Sequence, residues 1–279
     1  MKAALRLALL ISALHSPYGA MAQEPLSASE EQLVNVAYAT QLGSGVYDIA
    51  GRTLQIYRLP FGYTFAQPSG KQPGVRLTLP LTIGFVDFET RDVIGTGLPD
   101  NLDSLSFVPG IELDFVLTPR WHLLPFAEAG RIWDRSGDGD ATVYSLGMHA
   151  AASMSQRWLD LRFDIGAVYS AVNLQNESRS GDLVMLSLGI EGRHRLGLHL
   201  ADHPLDWGVY LLSDTFLNRP DEPLTRAEQS ADRTQFEIGV TVGPQSKMTL
   251  WHIPVPRLGV GYHFGHDLGV WRLVIGAPF

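Results

Sequence analysis

Val75-Arg76-Leu77-Thr78-Leu79-Pro80-Leu81-Thr82-Ile83-Gly84-Phe85 splits into two kinds of residue when it is read by twos. The odd positions, Val75 through Phe85, are all large and apolar; the even ones, Arg76, Thr78, Pro80, Thr82 and Gly84, are charged, hydroxylic or small. Successive side chains of a β-strand point to opposite faces, so this stretch reads as a strand with one apolar and one polar face. The same split recurs in Leu159, Leu161, Phe163, Ile165, Ala167 and Tyr169 against Asp160, Arg162, Asp164 and Gly166. It appears again in Phe236, Ile238, Val240 and Val242 against Gln235, Glu237, Gly239 and Thr241. Working outward in both directions, strands are expected near 43–49, 52–66, 75–88, 104–117, 121–132, 142–153, 158–170, 183–194, 205–213, 234–243, 257–265 and 269–279, twelve in all.

Two architectures accept many amphipathic strands: a soluble barrel with its apolar face inward, and a transmembrane barrel with that face outward. The expected strands run to about 10–14 residues, where soluble sheets use 5 or 6 and a tilted strand needs about 9–11 to cross a bilayer. Trp121, Tyr144, Trp158, Tyr169, Trp207, Trp251, Tyr262 and Trp271 fall toward strand ends, where aromatic girdles meet the headgroups. A soluble lipocalin-like barrel would instead have to turn Gly, Arg, Asp and Glu to solvent on every strand. The reading is therefore all-β: a twelve-stranded antiparallel transmembrane β-barrel over residues 43–279, placed in the outer membrane of a Gram-negative cell and surrounded by its lipids.

Composition agrees. The 279 residues are 45% apolar and 18% charged, with 21 basic against 29 acidic side chains and a formal charge of −8. That is too apolar for a disordered chain and too acidic for a nucleic-acid binder. No apolar run approaches the roughly 18–20 residues of a spanning helix. The absence of cysteine excludes disulfides and thiolate metal sites.

The leading residues have the secretory order: Lys2 and Arg6, then apolar residues from Leu7 to Leu14, then Gly19-Ala20-Met21-Ala22 with small residues where a signal peptidase reads them. Residues 1–22 are expected to be a cleaved signal peptide, and its loss removes 2 of the 21 basic residues, taking the charge from −8 to −10. Residues 23–42 are expected to be a polar lead, Gln23 to Ser29, and a short helix from Glu30 to Leu42. Ser29 and Gln32 have the capping-box spacing, Leu33, Val36, Ala37 and Thr40 share a face, and Gly43 supplies a stop. Such a helix could plug the lumen of the barrel or lie outside it in the periplasm.

Loop lengths set the orientation. With Phe279 in the periplasm, Glu89 to Asp103, Trp133 to Ala141, Ala171 to Asp182 and Asp214 to Arg233 become external loops, while Thr118 to Arg120 and Met154 to Arg157 become tight internal turns. Long loops outside and short turns inside are the outer-membrane rule. Arg195 to Pro204 and Pro244 to Pro256 are long for periplasmic turns, so there either the register slips or the strands extend.

The closing residues Trp271, Leu273, Ile275, Ala277 and Phe279 alternate with Arg272, Val274, Gly276 and Pro278. They resemble the signal by which the barrel-assembly machinery recognises its clients, through main-chain strand addition with alternate apolar side chains in pockets. Trp271, Leu273, Ile275 and Phe279 are its expected readout, and that machinery is the expected partner during biogenesis.

Twelve strands after a short helix, the segment Pro125-Phe126-Ala127-Glu128-Ala129-Gly130, the turn Phe264-Gly265-His266-Asp267-Leu268-Gly269 and the ending Val270-Trp271-Arg272-Leu273-Val274-Ile275-Gly276 resemble the translocator domain of autotransporters. The resemblance covers Glu30 to Phe279. With only Gln23 to Ser29 between the leader and the helix, it is to the solitary type that has the pore domain without a passenger, and it implies a monomer.

An outer-membrane phospholipase is the rival, since that family also has twelve strands and uses a Ser/His pair at the lipid face. Ser145 and His149 share a face but stand about 13 Å apart along a strand at ~3.3 Å per residue. Ser187 and His194 differ by an odd number and face opposite sides, although pairs from different strands stay open. Asp134, Ser136, Asp138 and Gly139 imitate half a calcium loop, but its twelfth position falls on Ser145 where a bidentate Glu is required. His194, His199 and His203 lack a regular ligand spacing. No catalytic residue, metal or cofactor is therefore assigned. Whatever specificity the barrel has is expected in its inward charges: Arg58, Arg76, Glu112, Asp114, Glu128, Asp160, Arg162, Asp164, Glu191, Arg193, Glu237 and Arg272. These form either a cross-lumen network or the lining of a narrow, cation-preferring pore.

Overall fold

The structure is a computed structural model that describes residues 44–49, 52–86, 102–134, 140–156, 158–174, 180–218, 234–245, 248–250, 253–265 and 269–279. The expected signal peptide, polar lead and helix of residues 1–42, the centres of the expected external loops, and residues 135–139 of the hairpin between Asp134 and Asp140 lie outside the described residues.

The elements are β1 (Gly45–Ile49), β2 (Arg52–Ala66), β3 (Gly74–Val86), β4 (Leu102–Phe107), β5 (Gly110–Val116), β6 (Trp121–Asp134), β7 (Asp140–Ser155), β8 (Asp160–Leu174), β9 (Ser180–Leu200) and β10 (His203–Asn218). They continue with β11 (Thr234–Pro244), β12 (Thr249–Leu250), β13 (Ile253–Pro254), β14 (Leu258–Phe264) and β15 (Gly269–Ile275). Thirteen of them form one antiparallel sheet, and β12 and β13 form a separate two-stranded pair. β4 and β5 share the neighbours β3 and β6 and are parted only by Val108-Pro109. Proline has no amide to give the ladder, so the strand breaks there, while the Pro109 carbonyl still accepts from Ala129 N at 3.0 Å. Counted as one interrupted stave, β4 and β5 bring the sheet to the twelve antiparallel staves expected.

Each stave pairs with its neighbours in sequence, and β1 pairs with both β2 and β15, the latter through Val46↔Trp271. Period-two sequences pair this way because antiparallel neighbours in register keep like faces together. Along β10, Asp206, Gly208, Tyr210 and Leu212 are buried while Trp207, Val209 and Leu211 are exposed. On β11, Glu237, Gly239 and Thr241 are buried, and Ile238 and Val240 are each 51% exposed. The sheet is inside out relative to a soluble protein: its polar face is covered and its apolar face is open.

Several boundaries differ from those expected. The strands extend at the first of the two long connections, Arg195 to Pro204. β9 runs for 21 residues to Leu200, and β10 starts at His203 after a two-residue turn in which Ala201 and Asp202 have φ of 45° and 66°. In the second connection the chain forms the small β12–β13 hairpin, with Leu250 opposite Ile253. The turn expected at Met154–Arg157 falls instead between Ser155 and Asp160, closed by Gln156 N to Leu159 O at 3.0 Å. The last strand, expected over 269–279, ends at Ile275.

Candidate functional site

The buried face carries three polar groupings, each placed by register. In the first, Glu237 of β11 stands opposite His263 of β14 and next to Tyr210 and Arg272. The Tyr210 hydroxyl donates to Oε1 of Glu237, Arg272 Nη1 lies 3.0 Å from its Oε2, and His263 Nδ1 lies 3.2 Å from the same oxygen. The other ring nitrogen of His263 is 2.8 Å from Gln235 Oε1. Tyr210 fits because Gly239 and Gly261 face it: a Cβ at Gly239 would lie 2.5 Å from the tyrosine Cζ. A carboxylate with no solvent exposure is tolerable only when its oxygens are occupied in this way.

The second grouping is centred on Glu191 of β9. Arg193 Nε donates to its Oε2 at 2.7 Å and Thr241 donates to its Oε1 at 2.7 Å. Arg257 donates to Thr241 Oγ1 at 2.9 Å and to Asp206 through its other terminal nitrogen. Gly208 makes room for this group, since a Cβ there would meet Glu191 Oε1 at 2.9 Å. The third grouping spans β2 to β8: Arg58 reaches Glu128 at 3.9 Å, Arg76 reaches Glu112 at 3.6 Å, and Thr78 donates to Glu128 at 3.3 Å. Nδ1 of His122 is 2.7 Å from Asp114, and Nδ1 of His149 is 2.8 Å from Asp164. Phe126 stacks on the His149 ring at 5.5 Å between centroids.

Of the twelve charges selected by alternation, Arg58, Arg76, Glu112, Glu128, Glu191, Arg193, Glu237 and Arg272 are brought into arginine–carboxylate contacts. Asp114 and Asp164 pair with histidines. Asp160 accepts from Ser155 across the turn, and Arg162 borders a cavity with Arg120, His122, Asp164 and Phe279. Asp206, Tyr210, Thr241, Arg257 and His263 join the groupings without having been selected. The signal was present in the same parity, with Arg257 immediately before β14 and Gly259, Gly261 and His263 along one face of it.

Trp271 and Leu273 face outward and are 62% and 39% exposed. Phe279 does not continue that series: it lies against Gly189 on the buried face. As for the serine and histidine pairs weighed above, Ser145 meets Ser170 Oγ at 3.0 Å and His194 Nδ1 lies 2.7 Å from the Trp158 carbonyl.

The described residues form an all-β fold of twelve antiparallel staves with polar residues covered and apolar residues open, and this fold is similar to that of an autotransporter translocator domain. The solved translocator domain of the autotransporter NalP from Neisseria meningitidis is similar at a TM-score of 0.56 and 12% sequence identity, over 91% of this chain and all of that one. No protein-family model and no curated protein matches the sequence.

Proposed function

We propose that the chain is an integral outer-membrane β-barrel of the translocator type, closed through the β1–β15 pairing, which works as a narrow or plugged pore and not as an enzyme. The observation that carries this reading is the reversed burial. Leu146, Leu188, Leu198, Ile165, Ile238 and Val240 stand open on one continuous face, an area of apolar surface that water would not leave uncovered. Trp158 in the turn before β8 and Tyr169 on β8 bracket this band: the ten strand residues from Asp160 to Tyr169, at ~3.3 Å each and tilted by about 45°, rise about 23 Å, close to the height of an outer-membrane apolar band.

Export through a cleaved leader, delivery by the barrel-assembly machinery and embedding among outer-membrane lipids follow from that reading. Inside, the arginine–carboxylate groupings brace the wall, and the segment Glu30 to Leu42 supplies a plug. Planar-bilayer recording tests the pore: the whole mature chain should be nearly silent, and deletion of Glu30–Leu42 should open it. Unchanged conductance after the deletion removes the helix from the plug. A purified sample that turns over phospholipid would favour a lipid-modifying enzyme instead.

A further inference from the structure

Period two predicts that the strand carrying Trp271, Leu273 and Ile275 runs on to Phe279 along the outer face, yet it stops four residues early. Gly276 adopts φ +107°, a conformation that L side chains rarely take, and its amide donates to the Arg257 carbonyl at 2.9 Å. The chain thereby leaves the ladder and turns across the buried face. Pro278 is buried and its carbonyl accepts from Arg272 Nη2 at 2.8 Å. Beyond it the ring of Phe279 rests on Gly189 of β9, where a Cβ would stand 2.5 Å from Cδ1 and 2.6 Å from Cγ. Gly189 shares its face with Glu191, and its register partners are Asp164 and Leu212. Phe279 also borders the cavity near the Thr118–Arg120 turn, with Arg120, His122 and Arg162.

Three separate features thus direct one segment inward: a glycine that permits the turn, an arginine that holds the carbonyl, and a second glycine whose bare backbone receives the ring. We propose that Gly276–Phe279 is an intramolecular plug, seated on Gly189 and clamped by Arg272, which closes the lumen at the end bearing the short Thr118–Arg120 turn. The proposal rests on the reading of the buried face as a lumen, and it assigns part of the closure to this segment in addition to Glu30–Leu42. It also gives Arg272 two tasks, since the same guanidinium bonds Glu237 through Nη1 and the plug through Nη2.

The cysteine-free sequence makes a direct test possible. Phe279 Cγ lies 2.6 Å from the Cβ position of residue 189, so one further bond of ~1.5 Å brings the two Cβ atoms within about 4 Å, the span of a disulfide. The full chain carrying Gly189→Cys with Phe279→Cys, refolded in detergent and mildly oxidised, should form an intramolecular cross-link seen as a mobility shift on unreduced gels. Ile190→Cys with Phe279→Cys, one residue away on the opposite face, should not. In a second arm, made on the Glu30–Leu42 deletion, Gly189→Ala leaves the closing residues intact and evicts the ring, and bilayer conductance should rise above that of the deletion alone. An absent cross-link, equal cross-linking at 189 and 190, or unchanged conductance of Gly189→Ala overturns the proposal. The cross-link is read without a bilayer, so a chain that never inserts would defeat the membrane reading while leaving the seat of Phe279 decided on its own.

Discussion

Glu237 concentrates the energetics of the buried face. It has no exposed surface and satisfies Tyr210, His263 and Arg272 at once. Removing it leaves a guanidinium buried without its counter-charge, which costs about 3–5 kcal/mol, whereas replacing both partners with apolar side chains is often nearly neutral. Glu237→Ala should therefore lower the urea midpoint of the refolded protein strongly, and Glu237→Leu with Arg272→Met should recover much of that loss. Arg272 also holds the Pro278 carbonyl, so the double variant should not recover completely. Additive effects in the double-mutant cycle would show that the two groups do not act as a pair.

At the scale of elements, the β9–β10 hairpin and β15 make separate demands. Two residues join β9 to β10, and both, Ala201 and Asp202, sit at positive φ, the backbone of a type I′ turn. That turn favours Asn-Gly, and relieving two left-handed L-residues should be worth about 0.5–1 kcal/mol. Ala201→Asn with Asp202→Gly is expected to raise the denaturation midpoint at unchanged slope. In β15, Leu273 and Ile275 share the outward parity with Trp271. An Asp at either site puts a charge on the face read as lipid-facing, at a cost that rises toward the midplane. Leu273→Asp with Ile275→Asp should leave protein in the periplasm for proteolysis, and deletion of Phe279 should also lower outer-membrane yield. Unchanged amounts in the outer-membrane fraction for both would remove β15 from the assembly step.

For the whole molecule, an even number of antiparallel staves returns the chain to the side on which it began. With both ends periplasmic, single cysteines at Ser178 and Ser230 should label in intact cells with an impermeant thiol reagent, and Ser155, the last residue of β7, should stay protected. Equal labelling at all three would reverse or abolish the orientation. The register also fixes the charge of the buried face. Among the described residues, Asp206 and Asp214 join the seven carboxylates selected by alternation, and Arg195 and Arg257 join the five arginines, which makes nine acidic groups against seven guanidinium groups. A pore with such a lining favours cations. The reversal potential of the Glu30–Leu42 deletion in a potassium chloride gradient should report that preference, and an anion-selective reading would show that these carboxylates do not line the path.

The number of staves, their parity and the exposure of the apolar face were legible in the residues, because alternation is a local property: each side chain declares its face relative to its immediate neighbours. Val75 to Phe85 announces a two-faced strand, and the structure places Thr82 and Gly84 on the covered face as that parity requires. Partnership was not legible. Whether Arg272 meets Glu237 or Glu191 depends on the register of separate strands, which is settled by the pairing of the whole sheet. The same holds for Arg257 and Asp206, which are 51 residues apart in sequence and joined only through β10, β11 and β14. Sequence alternation also carried the last strand too far. Ala277 and Phe279 keep the parity of Leu273 and Ile275, with Gly276 and Pro278 the local sign of a break, and only the tertiary structure supplies Gly189 as a seat and the Arg272 guanidinium as a clamp. The sequence by itself thus determined which face each residue takes on its strand; the folded sheet decided which charges meet and where the chain leaves the ladder, since both depend on groups far apart along the chain.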